Sequence, residues 1–382
     1  MERRRFLTLM GGGVILAAGS AAGAFAVTRT PTQALMPWTQ TTFYDEPRRR
    51  ALSFAILAPN PHNRQPWLVD LATPGEVLLL VDTARMLPHT DPQNRQVTIG
   101  LGCFLELMVT AAAADGYRVD LELFPQGAGA AGLDARPVAR ARFIEDATIA
   151  IDPLFEHVLT RRSLKEPYDL GKPVATSLLA SLAASIRHGS TPGHTNDPDV
   201  VSALRDLTHR ALNIEIDTPR TYKESVDLFR LGKAEIEANP DGIDFGGPLF
   251  DTLVLTGQFT RTIALDKSSM VFAQGRDAVL ANTDTAMAHF WLVTGSNTRQ
   301  DQIAAGRDWV RVHLAATALG LGLQPLSQAL QEFPEMAACY AQAHQKLAPA
   351  GGTVQMLARL GYATPVGPSP RWPLDAKIIA EG

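Results

Sequence analysis

Residues 58–70 read APNPHNRQPWLVD and join two apolar runs of different period. Upstream, PRRRALSFAILA (47–58) spaces its apolar residues as a helix does and runs into Pro59, which disfavours helical geometry in the residue before it. Downstream, WLVDL (67–71), EVLLLVD (76–82), RVDLELF (118–124) and VARARFI (138–144) are short β-favouring runs set off by Pro and Gly. Between them GLGCFLELMVTAAAADGY (100–117) reads as a long helix ending at Gly116. The expected class is therefore α+β, with helices packed on a sheet. A turn needs Gly, Pro or Asn at one or two positions. This one also carries a histidine, an arginine, a glutamine and a second asparagine, far more hydrogen-bonding capacity than a change of direction requires.

The chain has 382 residues, 46% of them apolar, which is enough for one large domain or two ordinary ones around a real core. Its formal charge is -4, and the basic residues fall in short clusters rather than one stripe, so nothing here has the footprint of a nucleic-acid binder. Cys103 and Cys339 both lie in helical sequence outside any CxxC pair or Cys/His cluster. Two buried free thiols are the expectation, with a disulfide between them as the alternative. At the N-terminus, an arginine triplet leads through an uncharged Gly/Ala-rich segment to Ala24-Phe25-Ala26. The pattern Arg3-Arg4-Arg5-Phe6-Leu7 resembles the twin-arginine export signal. Residues 1–26 are thus expected to be a signal peptide handled by the twin-arginine translocase, or a retained anchor, placing the protein in the periplasm or on the membrane. No second segment reads as apolar enough to span a bilayer.

Two stretches of equal length follow one rhythm: CFLELMVTAAAAD between Gly102 and Gly116, and RDWVRVHLAATAL between Gly306 and Gly320. Ala111, Ala112 and Ala114 fall on Ala315, Ala316 and Ala318, which suggests an internal duplication. Walker A, G-x-G-x-x-G, G-x-S-x-G and H-E-x-x-H motifs are missing. His289 and His313 sit in apolar runs and read as satisfied core or helix-surface residues. Three polar clusters remain: NPHNRQPW (60–67), TRRSLKEPYDLGKP (160–173) and SPRWP (369–373). Arg161, Ser163 and Lys165 alternate, so an extended segment would aim a guanidinium, a hydroxyl and an ammonium at one anion; the plain alternative is a solvated basic turn.

These clusters resemble the FMN-binding nitroreductase family. RRSLK (161–165) is similar to its R-x-S-x-K/R phosphate element, PNPHNRQPW (59–67) to its P-S-x-x-N-x-Q-P-W loop, GLGLQPLSQ (320–328) to the segment passing the flavin ring, and SPRWP to its C-terminal phosphate contact. The nearest branch is the long single-chain Acg type, and the resemblance spans most of residues 45–378. The family binds flavin between two subunits, with the N-x-Q-P-W loop from one and the phosphate element from the other. Here the first half, 27–150, has the Asn63/Gln65 loop, while Arg48-Arg49-Arg50 lead into a helix and do not reproduce R-x-S-x-K. The second half, 151–382, has Arg161, Ser163, Lys165 and Arg371 without an N-x-Q-P-W. The resemblance therefore implies a nitroreductase-like fold in which mixed or antiparallel sheet is flanked by helices. Two related halves of one chain would mimic the family dimer, keep a single FMN site at the seam, and make a monomer plausible.

On that resemblance Asn60, Pro61 and Asn63 meet the ribityl chain and ring, and Gln65 and Trp67 secure the loop. Arg161, Arg162, Ser163, Lys165 and Arg371 hold the phosphate, while Pro325, Leu326 and Ser327 line the ring. Asn60 and Pro61 stand where serines are usual, and Ser369 where some members carry lysine. Residues 237–276 read either as a lid over the flavin or as a helical excursion packed on the core. The expected activity is two-electron reduction of a nitroaromatic, quinone or similar small-molecule acceptor, with NAD(P)H or another donor supplying the electrons. The alternative is a flavin-sequestering protein with little turnover. No general acid or base stands out in the sequence.

Overall fold

The computed structural model describes residues 28–129 and 132–381, so the segment expected to be a signal or anchor lies outside the described residues. The helical run upstream of the loop folds as α1 (Pro47–Ala55), with Pro47 in the first turn and the Glu46 carboxylate accepting from the N–H groups of Arg48 and Arg49. The three arginines of that run are structural. Arg48 donates to the carbonyls of Leu71, Thr73 and Glu76, Arg49 pairs with Asp375 and Glu381, and Arg50 reaches Tyr44 O and Asp115.

The β-favouring runs form β1 (Trp67–Leu71), β2 (Glu76–Val81), β3 (Tyr117–Leu123) and β4 (Ala139–Glu145), with α2 (Arg95–Ala114) between β2 and β3. Trp67, Val69, Leu71, Val77, Leu79 and Val81 are buried in strict alternation, which fixes the face that meets α2. Further along come α3 (Thr176–Ala183), β5 (Thr191–Thr195), α4 (Pro198–Asp217), α5 (Pro219–Asp227), β6 (Phe229–Leu231), α6 (Gly232–Ala238), β7 (Ile243–Phe245), α7 (Pro248–Leu255), α8 (Arg261–Leu265) and α9 (Met270–Thr283). The chain finishes with β8 (Ala288–Thr294), α10 (Arg299–Ala318), β9 (Gly322–Pro325), α11 (Ala337–Leu347), β10 (Thr353–Gly361) and β11 (Ile378–Glu381).

Two main sheets result. The first runs β11-β1-β2-β4-β3 and the second β5-β8-β10-β9. Pairing is antiparallel throughout except where β11 joins β1 in parallel, so the last residues of the chain complete the sheet built by residues 67–145. Apart from β11 the two strand orders correspond: in each sheet the strand leaving the long helix takes an edge and the next strand lies inside it. The long insertion between β5 and β8 gathers a core of its own around Val226, Leu231, Leu253, Phe259 and Ala264.

The two long helices α2 and α10 cross at the centre, and the crossing is made by the two glycines that the repeat aligns. A Cβ on Gly306 would sit 2.0 Å from Ile99 O, and one on Gly102 would sit 2.3 Å from Ile303 O. The backbones touch because neither residue has a side chain. α2 is long and apolar enough to cross a membrane, which corrects the expectation that no second segment is. The share of that window buried within the protein is 89%, the signature of a core helix that is apolar all round. Cys103 and Cys339 are both free and buried, as expected.

Candidate functional site

The loop that opened the sequence reading is held in an unusual backbone conformation. Pro61–Asn63 make one 3-10 turn, and His62, Asn63 and Gln65 all have φ near +50°. Left-handed geometry costs an ordinary L-residue about 1 kcal/mol, so the surroundings must impose it. They do so through hydrogen bonds at nearly every residue. Asn60 Oδ1 accepts from Gln65 N at 2.7 Å, Asn63 Nδ2 donates to Pro370 O at 3.0 Å, and Asn63 O accepts from Gly242 N at 3.2 Å. Gln65, fully buried, stands behind the loop rather than on the cavity wall. Its amide donates to Pro240 O at 2.7 Å and accepts from Trp372 N at 2.9 Å, and Lys377 Nζ donates to its carbonyl at 2.8 Å. Gly100 on α2 lets the loop approach, since a Cβ there would lie 3.1 Å from Asn60 Cβ.

Beside this loop is a cavity of about 720 Å³. Apart from Gln65, the candidate residues all line it: Asn60, Pro61 and Asn63 from the loop, Arg161, Arg162, Ser163 and Lys165 from the basic stretch, Pro325, Leu326 and Ser327 from the segment after β9, and Arg371. Ser163 forms an isolated parallel bridge with Leu323, so the basic stretch is extended there and its alternate side chains share a side.

One end of the cavity is strongly electropositive. Arg161 and Arg371 are each 3% exposed, and Arg162 is half-buried. Arg371 donates from Nη1 to Asn63 Oδ1 at 2.7 Å and Ser369 Oγ at 2.9 Å, and Arg161 Nη2 donates to Leu57 O at 2.8 Å. Yet the Nε atoms of Arg161, Arg162 and Arg371 are all buried without a partner. Among the described residues none of the three, nor Lys165, forms a salt bridge with a carboxylate. Burial pushes the Arg161 guanidinium down to about 10, and burial reinforced by Arg161 pushes that of Arg371 to about 9. Trp38 lies over this group, its ring 4.3 Å from Arg162 Cζ and 5.4 Å from Arg371 Cζ. Nothing in the connector sequence pointed to Trp38, which reaches the site only because its indole donates to Ser369 O and Ala34 O accepts from Arg371 N.

Much of the rest of the wall belongs to the insertion. Residues 237–276 cover the cavity, with Phe245, Phe250 and Phe259 both lining it and packing together at centroid distances of 5.0–5.8 Å. Asp241 ties this cover to the loop, since its carboxylate meets Arg64, Arg85 and Arg230. Further titratable groups line the interior, among them two acids, a histidine and a thiol. Desolvation pushes the His62 imidazole down to about 4, helped by Lys165, and the Cys103 thiol up to about 12. Desolvation also raises Asp244, and it pushes Glu215 up to about 7. Of the histidines expected to be satisfied, His313 donates from Nε2 to Arg162 O at 2.9 Å with Nδ1 buried and unpaired, whereas His289 is fully buried with neither ring nitrogen paired among the described residues. Burial pushes both down to about 3, so both are neutral.

Comparison with known proteins adds the following. No family model matches the sequence. A Mycobacterium tuberculosis protein named "Putative NAD(P)H nitroreductase Rv3131" is 26% identical over 346 residues, covering 86% of this chain and 90% of that one. A second protein of that organism, "Uncharacterized protein Rv3127", is 25% identical over 346 residues, covering 86% and 92%. "Putative NAD(P)H nitroreductase acg" is 36% identical over 77 residues, 20% of this chain and 23% of its own. The chain is thus similar over most of its length to one protein named "Putative NAD(P)H nitroreductase" and to one named as uncharacterized. Among solved structures, one titled "Crystal structure of a putative nitroreductase from anabaena variabilis" covers 92% of this chain and 93% of its own at 13% identity and a TM-score of 0.37. The FMN-dependent nitroreductase NfnB from Mycobacterium smegmatis, solved in complex with NADPH, covers 55% and 87% at 17% identity and 0.30.

Proposed function

We propose that this chain is an FMN-dependent oxidoreductase of the nitroreductase type, with one flavin site at the seam of two related halves. The observation that carries the reading is the trio of buried, unpartnered Nε atoms on Arg161, Arg162 and Arg371 at one end of the cavity. A buried guanidinium left without an anion costs several kcal/mol. A phosphate would relieve three of them at once, and planar forks suit its oxygens. The site draws Asn60, Pro61 and Asn63 from residues 27–150 and its cations from 151–382, a division that favours a former subunit interface folded into one chain. The corresponding strand orders and the paired glycines of α2 and α10 support the same duplication.

Bound FMN would supply two-electron transfer. The chain's own task is to place the group and control its surroundings. Arg161, Arg162, Lys165 and Arg371 hold the phosphate, Asn60 and Asn63 hold the polar chain and ring edge, and Pro325, Leu326 and Ser327 back the ring. Residues 237–276 exclude water from the opposite side. The relatives' names point to NAD(P)H as donor, with a nitroaromatic, quinone or similar acceptor. The twin-arginine pattern favours export, where another donor would be needed; cell fractionation with an antibody tests that placement. A second reading, flavin sequestration, is favoured by the cover's own packed core, which makes it more than a loose loop.

An absorbance spectrum of the purified protein, followed anaerobically by NADPH or NADH, tests both. Flavin bands that bleach and return with an acceptor support the oxidoreductase, bands that stay oxidised shift the reading to another donor or to sequestration, and failure to take up FMN on reconstitution overturns both.

A further inference from the structure

The cavity holds an acid that no motif announced. Glu215, near the end of α4, is 7% exposed, and its side chain lines the cavity. Gln331 Nε2 donates to Glu215 Oε2 at 2.7 Å, and the side chains of Gln328 and Ser225 lie beside the carboxyl. Ser225 Oγ in turn lies 3.0 Å from His62 Nε2, on the loop that carries Asn60 and Asn63. All these residues line the same cavity. Around them Leu212 and Ile216 are apolar, and the Tyr222 hydroxyl is taken up by donating to Ala264 O at 2.9 Å.

Resting on the flavin reading above, we infer that Glu215 is the catalytic acid that protonates an uncharged, quinone-like acceptor as it is reduced. Conversion of a quinone to a hydroquinone takes one hydride equivalent and one proton. The hydride equivalent comes with the reduced cofactor, and the proton passes from the Glu215 carboxyl to an acceptor oxygen, leaving a carboxylate. Water admitted as the product leaves returns that proton.

The other groups facing the cavity fit the role less well. His62 is neutral at physiological pH, and the Cys103 thiol donates to Gly306 O at 3.1 Å and is far too weak an acid. Asp244 lies near Lys165 and Arg371, at the anion end. Glu215 is the one poised near neutrality, where a general acid works best. The charges around it do not undo this. Glu224 on α5 raises it further; Arg95, behind Leu330, is occupied by Leu330 O, Gln355 and Glu332; Arg276 on α9 is taken by Asn213 and Asp217; and Arg220 is paired with Glu335.

The test is anaerobic reoxidation of the reduced holoprotein by 1,4-naphthoquinone, in wild type and Glu215→Gln, with infrared spectra of the flavin-free protein over the same pH range. Glutamine keeps a hydrogen bond to the acceptor but has no acidic proton. The expected result is a rate lower by about tenfold or more, with naphthoquinone affinity and FMN content unchanged. In flavin-free wild type, a protonated-carboxyl band should fade as pH rises through about 7 and be absent from the variant. A Glu215→Gln rate within about twofold of wild type, or the lack of such a titrating band in the wild-type protein, overturns the inference; the second readout does not depend on how the variant folds. Wild-type protein that holds no FMN would instead overturn the flavin reading.

Discussion

Arg371 shows how much one side chain decides at this site. Its guanidinium joins Asn63 Oδ1, Ser369 Oγ and the carbonyls of Leu57 and Ala58, so it braces the loop while its Nε stays buried and unpaired. Lysine would keep the charge and lose the fork. Arg371→Lys should weaken FMN binding by about ten- to a hundredfold with little change in far-UV circular dichroism, because a hydrogen bond to a charged group contributes about 1.5–3 kcal/mol; undiminished affinity in a fluorescence titration would remove this residue from the phosphate site. Arg161→Ala and Asn63→Ala should each lower the flavin content of purified protein while leaving it folded, and full retention by both would refute the seam.

Between elements, the two contacts that matter are made by a missing side chain and by a shared carboxylate. Gly306 permits the α2–α10 crossing, and Gly306→Ala drives a methyl into Ile99 O, a backbone atom that cannot rotate away. Overpacking of this kind costs about 1–3 kcal/mol, occasionally more, and urea denaturation should show the midpoint fall accordingly. Asp241, buried among Arg64, Arg85 and Arg230, joins the cover to the loop. Asp241→Asn leaves Arg64 and Arg230 without their anion, while Arg85 keeps Asp82, and removing one partner of a buried pair costs about 3–5 kcal/mol. Limited trypsin digestion should then cleave within residues 237–276 faster than in wild type, while unchanged protection would mean that the aromatic core of the cover holds it alone.

For the molecule as a whole, buried acids set how stability depends on pH. Glu106, inside the α2–α10 packing, meets Arg307, Arg311 and His188, which together overcome desolvation and hold it at about 2 instead of 4.5. Its contribution is present above 4.5 and is lost as pH falls toward 2. Asp91 and Glu215 act in the opposite sense. Raised by desolvation to about 6 and about 7, they stabilise most below their ordinary values, and that share disappears as pH rises through 6 and 7. Thermal melts across pH should therefore show Glu106→Gln flattening the acid side and Glu215→Gln flattening the decline toward neutrality. A Glu215→Gln profile parallel to wild type would mean that the carboxyl does not titrate there.

What the sequence determined by itself is what is written locally. Alternation in 67–71 and 76–81 follows from the pleat, α2 and α10 from helical spacing ended by Gly116 and Gly320, and the loop and basic stretch from dense polar side chains in runs of a few residues. Even the equivalence of Gly102 and Gly306 was readable, though not that they touch. The tertiary structure alone decided which distant residues meet. Trp38 reaches the arginines, β11 returns to β1, Asp241 gathers three arginines, and Glu215 enters the cavity through contacts between residues far apart in the chain. A lone Glu near the end of an amphipathic helix looks like any solvated charge. What makes this one an acid near neutrality is desolvation by the elements packed over it, and desolvation belongs to the assembled fold and leaves no mark in the sequence.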